Sequence, residues 1–202
     1  MKNAEAAIER LCDPETEVST HYLISRHGQS TCLVAEDLRA WHAGAGQWQA
    51  KDDMNSRSIG IELDNDGTSP FAASLMNALE PLLKDVLSRW NIPPQNVIGH
   101  ADMAPGRKSD PGPRFDWARL QRIGLAATPD FAPTPTLFQE GFELAELTEL
   151  LRAIGYTADD AWRDKLQAFR DRFLPVSKGA PNGADRGMML SYLNSYGSSS
   201  LC

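Results

Sequence analysis

The chain has 202 residues, 42% of them hydrophobic and 23% charged, with 20 basic against 27 acidic side chains and a net charge of -7. Those proportions suit a folded globular protein with one substantial core and a small second unit, and they exclude an extended disordered chain. The acidic balance excludes a broad nucleic-acid surface, which needs a positive face along the phosphates, so an anionic substrate has to be met locally.

No 18-residue apolar run is present, so no membrane segment is expected. The opening residues 3–11 read as a short amphipathic helix rather than a basic region followed by an apolar core. As written, the sequence therefore predicts a cytoplasmic protein, with the periplasm or cell envelope as the alternative if the true start lies further upstream. Cys12, Cys32 and Cys202 are odd in number and lack metal-motif spacing, and they read as reduced and incidental.

In chain order, Val18–Ser25 and Thr31–Val34 read as strands around the turn Arg26-His27-Gly28-Gln29. Ser58–Leu63 is a short apolar strand in which Glu62 is the odd residue, followed by a turn-rich stretch to Pro70. From Phe71 onward Leu75, Leu79, Leu82, Leu83, Val86 and Trp90 recur at helical spacing and predict a core helix, with Pro81 as a kink or a reset of its start. Val97 and Ile98 read as the end of a buried strand, from whose edge His100 would emerge. Phe115–Ile123 predicts another helix with Phe115, Leu120 and Trp117 inward. Three prolines between Thr128 and Pro135 read as a semi-stiff linker. Beyond it, Leu144, Leu147, Leu151 and Ile154 form one stripe ending at Gly155, and Trp162, Leu166, Phe169 and Phe173 form a second ending before Pro175. A third helix after Asp185 would bury Met188, Met189, Tyr192, Leu193 and Tyr196. The expected organisation is residues 1–127 as an α/β domain, 128–138 as a Pro-rich linker, and 139–202 as a three-helix unit near the lower size limit for independent stability.

The chemistry gathers between Val97 and Pro113, where an imidazole, a carboxylate, an ammonium and a guanidinium share one Gly/Pro-stiffened loop. Turn residues Pro105, Gly106, Pro111, Gly112 and Pro113 let the chain double back, so His100 and Asp110 can meet. Imidazole nitrogen and carboxylate oxygen both suit Zn2+, and a catalytic zinc normally takes three protein ligands and leaves a fourth position for water. With Lys108 and the isolated strand carboxylate Glu62, the set supplies metal ligands, a general base and a cationic stabiliser, which points to metal-assisted hydrolysis.

Four ordered blocks then carry a resemblance: Val18 to Ile24, Arg39 to Gly44, Asn55 to Glu62, and Gly99 to Pro113. Over most of residues 3–125 the chain resembles the zinc-dependent N-acetylmuramoyl-L-alanine amidases of the type 2 class, which share the peptidoglycan recognition protein fold. That resemblance implies an α/β fold with a mixed central sheet flanked by helices. It implies hydrolysis of the amide between the lactyl group of N-acetylmuramic acid and L-alanine, in peptidoglycan fragments or muropeptides; separately, the chain is expected to be a monomer. It matches His100 and Asp110 to two zinc ligands and Glu62 and Lys108 to the catalytic pair, and it puts His42, Asn55 and Arg107 on segments lining the substrate groove. An Arg107 guanidinium there could bind a stem-peptide carboxylate bidentately. Residues 139–202 resemble, more loosely, the three-helix peptidoglycan-binding module attached to some of these amidases. In the family the first zinc histidine lies on an early core strand just before the helix that here begins at Asn3; that strand and histidine are absent from the sequence as given, and the expectation is a start further upstream. His21 is expected to be a strand residue near the groove rather than a substitute ligand, and His27 an exposed turn residue. A non-catalytic recognition module, binding stem peptides without cutting them, is the alternative.

Overall fold

The structure, a computed structural model, describes residues 3–197, so Cys202 lies outside the described residues. Contacts divide the described residues into two compact units, the first made of residues up to 46, 52–92 and 114–116, the second of residues 47–51, 93–113 and those from 117 on.

The first unit is built on three short strands, β1 (Tyr22–Ile24), β2 (Ser30–Cys32) and β3 (Ile61–Leu63), in the order β2-β1-β3. β1 pairs antiparallel with β2 and parallel with β3, where Leu23 faces Glu62. The hairpin between β1 and β2 closes through Ser25 and Gln29, and Gly28 takes the left-handed φ of 87° there. A side chain at Gly28 would also strike the Ser74 carbonyl, so the turn admits glycine on two grounds. Helix α1 (Ala4–Cys12), capped by the Asn3 side chain, lays Ala4, Ala7 and Leu11 onto Leu23. Helix α2 (Ala73–Trp90) packs on β1 and buries Leu75, Met76, Leu79, Leu83 and Val86. It runs through Pro81 without interruption, and Pro81 lies on its exposed side.

Trp90 corrects the predicted stripe of α2. It is 47% exposed, and its indole N–H donates to Glu36 at 2.6 Å. The Glu36 carboxylate also accepts from the Tyr22 hydroxyl and the Arg89 guanidinium, tying β1 to the end of α2. The Arg89 hydrogen bond, helped by those of Tyr22 and Trp90 and opposed by burial, holds the Glu36 pKa at about 2. Burial first, then the Glu36 hydrogen bond and charge, push Tyr22 up to about 12.

In the second unit, His100–Met103 forms a one-turn helix, α3, and Trp117–Arg122 forms α4, with Trp117 and Leu120 buried. Phe115, in the first unit, packs edge-on against Phe71. The three predicted later helices are α5 (Leu144–Ile154), α6 (Trp162–Phe173) and α7 (Gly183–Tyr196). α5 buries Leu147, Leu151 and Ile154, whereas Leu144, in the first turn, is 44% exposed. Gly155 ends α5 as expected, at a φ of 138°. α7 begins two residues before Asp185 because Asn182 caps it, accepting from the amides of Ala184 and Asp185. Beneath that cap, Arg170 of α6 and Asp185 of α7 form a buried bidentate ion pair, extended by Ser177 and Asn182. Among the described residues no helix is long and apolar enough to cross a membrane. Cys12 and Cys32 are exposed free thiols.

The Glu36 cluster gives an acid-stability prediction. A carboxyl depressed in the folded state stabilises fully above its ordinary value of 4.5 and loses that contribution as pH falls towards about 2. Urea unfolding at pH 6 is expected to show Glu36→Gln less stable than the parent. The gap should close as the titration approaches the acid end, and a gap independent of pH would contradict it.

Candidate active site

The loop after α2 shows how His100 is positioned. Val97 and Ile98 do not form the predicted strand: a 3-10 turn at Pro94–Asn96 precedes them, and the Val97 carbonyl is taken by the Arg172 guanidinium at 2.6 Å. Two apolar residues before a glycine look alike whether they lead into a sheet or into a capped helix. Here Gly99 caps α3, donating its amide to the Asp102 carboxylate at 2.7 Å.

From α3 the chain turns at Gly106, and the Lys108 amide donates to the Ala104 carbonyl. It returns so that the Asp110 carbonyl accepts the Ala101 amide at 2.9 Å. Gly99 makes this closure possible, since a Cβ on it would stand 2.5 Å from Cδ of Pro111. The result is that His100 Nδ1 lies 3.1 Å from Oδ2 of Asp110, ten residues on. The pair is open to solvent, the two side chains being 17% and 62% exposed. Partial loss of solvent around the Asp110 carboxyl works against ionisation, but the hydrogen bond and charge of His100 outweigh it and leave its pKa below the usual range. Lys108 is half-buried on the same loop and Arg107 is exposed.

Imidazole and carboxylate in contact are zinc-type donors, and they would supply two of the three protein ligands a catalytic zinc takes. Among the described residues, no group of three or more His, Cys, Asp or Glu side chains gathers that could hold a metal ion.

In the first unit, Glu62 sits half-buried at the centre of β3. Asn55 is buried and holds the 42–43 backbone, its side-chain oxygen accepting the amides of His42 and Ala43 at 2.9 and 2.8 Å. The half-buried His42 ring meets the Ser58 carbonyl and stacks edge-on against His21 at 5.4 Å. His21 has both ring nitrogens engaged: Nδ1 accepts the Gly60 amide, so Nε2–H donates to the Leu38 carbonyl, each at 3.0 Å. Its ring therefore acts as a buried pin between three segments. His27 is exposed in the hairpin turn.

Three residues beside the candidate pair escaped sequence reasoning: Asp102, Tyr156 and Arg172. Burial, opposed first by the charge of Arg172, raises the Asp102 pKa, and burial also takes Tyr156 well above its usual value. An acidic residue three positions after a helix cap was the one available signal, and only for Asp102.

Comparison with known proteins gives the family. The family profile described as N-acetylmuramoyl-L-alanine amidase matches residues 1–113. The chain is 35% identical over 211 residues to N-acetylmuramoyl-L-alanine amidase AmiD of Escherichia coli, an alignment spanning 91% of this chain and 76% of that protein. It is 40% identical over 106 residues to 1,6-anhydro-N-acetylmuramyl-L-alanine amidase AmpD of Citrobacter freundii, covering 52% of this chain and 57% of that protein. Among solved structures, Escherichia coli AmiD in complex with anhydro-N-acetylmuramic acid-L-Ala-D-gamma-Glu-L-Lys superposes with a TM-score of 0.87 at 33% identity, over 96% of this chain and 86% of that one. AmpDh3 of Pseudomonas aeruginosa, in complex with anhydromuramic pentapeptide, superposes with a TM-score of 0.84 at 33% identity, over 97% and 89%. The α/β fold predicted from the sequence, a small mixed sheet with helices, is that of these structures. On the match to residues 1–113 and the shared identity with AmiD, the chain belongs to the N-acetylmuramoyl-L-alanine amidase family.

Proposed function

We propose that the chain hydrolyses the amide between the lactyl group of N-acetylmuramic acid and L-alanine in muropeptides, with Zn2+ as its cofactor and His100 and Asp110 as two of the metal's ligands. The observation that carries this reading is the 3.1 Å approach of His100 Nδ1 to Asp110 Oδ2 on a solvent-open loop. Zinc at such a site supplies Lewis acidity towards the scissile carbonyl and a more acidic water. In the roles implied by the family resemblance, Glu62 accepts the proton of the attacking water and returns it to the departing L-alanine amine. Lys108 offsets the negative charge that develops on the carbonyl oxygen. Arg107 engages a stem-peptide carboxylate, and His42 and Asn55 shape the groove, Asn55 by fixing the backbone that carries His42.

The substrates in the AmiD and AmpDh3 complexes favour an anhydro-muropeptide as the test ligand here, and they favour catalysis over a recognition module that binds without cutting. Residues 139–202 are proposed as a helical unit with affinity for peptidoglycan, and the chain as a monomer. The exposed thiols of Cys12 and Cys32 suit a reducing compartment and muropeptide recycling, with the cell envelope as the alternative setting.

The test is zinc per folded chain together with release of free stem peptide from an anhydro-muropeptide. Glu62→Ala should lose about 100-fold or more of turnover with zinc retained, as expected for a general base. His100→Ala should lose both metal and turnover. Muropeptide binding without turnover in saturating zinc would instead establish the recognition module. Gly99→Ala separates the loop closure from the donors themselves. Its added methyl collides with Pro111, so zinc affinity should fall although His100 and Asp110 are unchanged, and full affinity in that variant would show that the closure is not needed.

A further inference from the structure

We infer that Tyr156 and Arg172 are positioning residues for the His100–Asp110 pair, acting through the buried carboxylate of Asp102. This rests on the reading of that pair as metal-binding. Asp102 has each oxygen engaged: Oδ2 accepts the Gly99 amide at 2.7 Å and lies 3.5 Å from Nη1 of Arg172, and Oδ1 accepts the Tyr156 hydroxyl. Arg172 spans further, donating Nη2 to the Val97 carbonyl at 2.6 Å. Val97, Gly99 and Asp102 lie on both sides of His100 in the chain, so Arg172 of α6 and Tyr156, just beyond α5, hold the backbone entering α3 and a side chain within it.

Both anchors are buried. Tyr156 follows the stop of α5 and is packed edge-on against Trp48 at 5.2 Å and Phe169 at 6.4 Å. The Arg172 guanidinium lies against the rings of Trp117 and Phe173, 5.0 and 4.8 Å from their centres. A helix of four residues has no cooperative stability of its own and takes its orientation from such contacts. Its tilt sets where the imidazole points. It also sets the Ala101 amide that holds the Asp110 carbonyl, so both members of the pair move with it. A second buried ion pair of this unit, Arg170 with Asp185, bonds among the described residues to positions 177–185 and so provides a control of the same chemistry.

The experiment is amide hydrogen exchange on the full, metal-free chain, followed by zinc affinity from chelator competition. Tyr156→Phe, which removes one hydroxyl, should raise exchange at Gly99 and Ala101 by about tenfold and leave α7 unchanged, since a lost buried hydrogen bond opens its own locality first. Arg172→Lys keeps the charge but not the two-point reach, and should do the same. Asp185→Asn should give the opposite pattern, faster exchange at the start of α7 with Gly99 and Ala101 unchanged. In zinc, Tyr156→Phe should weaken binding by about tenfold, the scale for outer partners of metal ligands, while Asp185→Asn matched for loss of Tm stays within about twofold. Unchanged exchange at Gly99 and Ala101 in Tyr156→Phe overturns the inference, and so does a uniform rise across the unit, which would mark a merely structural role. A parent chain that takes up no zinc refutes the metal reading instead, and the exchange pattern still decides whether Tyr156 and Arg172 hold the turn.

Discussion

The site depends on how closely two stretches of backbone approach at Gly99. Pro111 sits where a side chain would be, and that proximity lets the Ala101 amide reach the Asp110 carbonyl. Without it, an imidazole and a carboxylate ten residues apart would be two unrelated surface groups. The constraint is steric and local, and it explains why a loop rich in proline and glycine can hold two side chains at a fixed separation. Each turn residue removes a conformational choice that would otherwise have to be suppressed by packing.

The first unit meets a related difficulty by other means. Its strands are three residues long, and a ladder of that length has little strength of its own. Polar side chains supply the missing cross-links. His21 bonds to the backbone at Leu38 and Gly60, Asn55 to the backbone at His42 and Ala43, and Glu36 joins Tyr22 to Arg89 and Trp90. All of these bonds join side chain to side chain, or side chain to distant backbone. They fix the segments around β1 and β3 more firmly than the sheet alone would.

Helical periodicity made α2, α5, α6 and α7 legible, because a stripe of apolar residues states which face is buried. The amidase blocks made the family and its fold legible, and turn chemistry predicted that His100 and Asp110 meet. What periodicity could not convey was the fate of single residues at element ends. Trp90 and Leu144 share the spacing of core positions but lie at a last and a first turn, where the stripe has left the interface. Val97 and Ile98 carry strand-like side chains but lie outside the described strands. Buried charge was the other blind spot. In the run Arg170-Asp171-Arg172 every residue reads as solvent-facing, yet both arginines are buried, because their partners Asp185 and Asp102 are supplied from distant parts of the chain.

The Arg170–Asp185 pair has a consequence for how this sequence can drift over generations. An interior salt bridge contributes little net stability compared with well-packed apolar residues, but leaving one charge without the other costs about 3–5 kcal/mol. Neither residue can then be replaced alone without passing through a badly weakened ancestor. The two positions are bound to co-vary, and the identity at one should be readable from the other in any descendant that keeps α6 against α7.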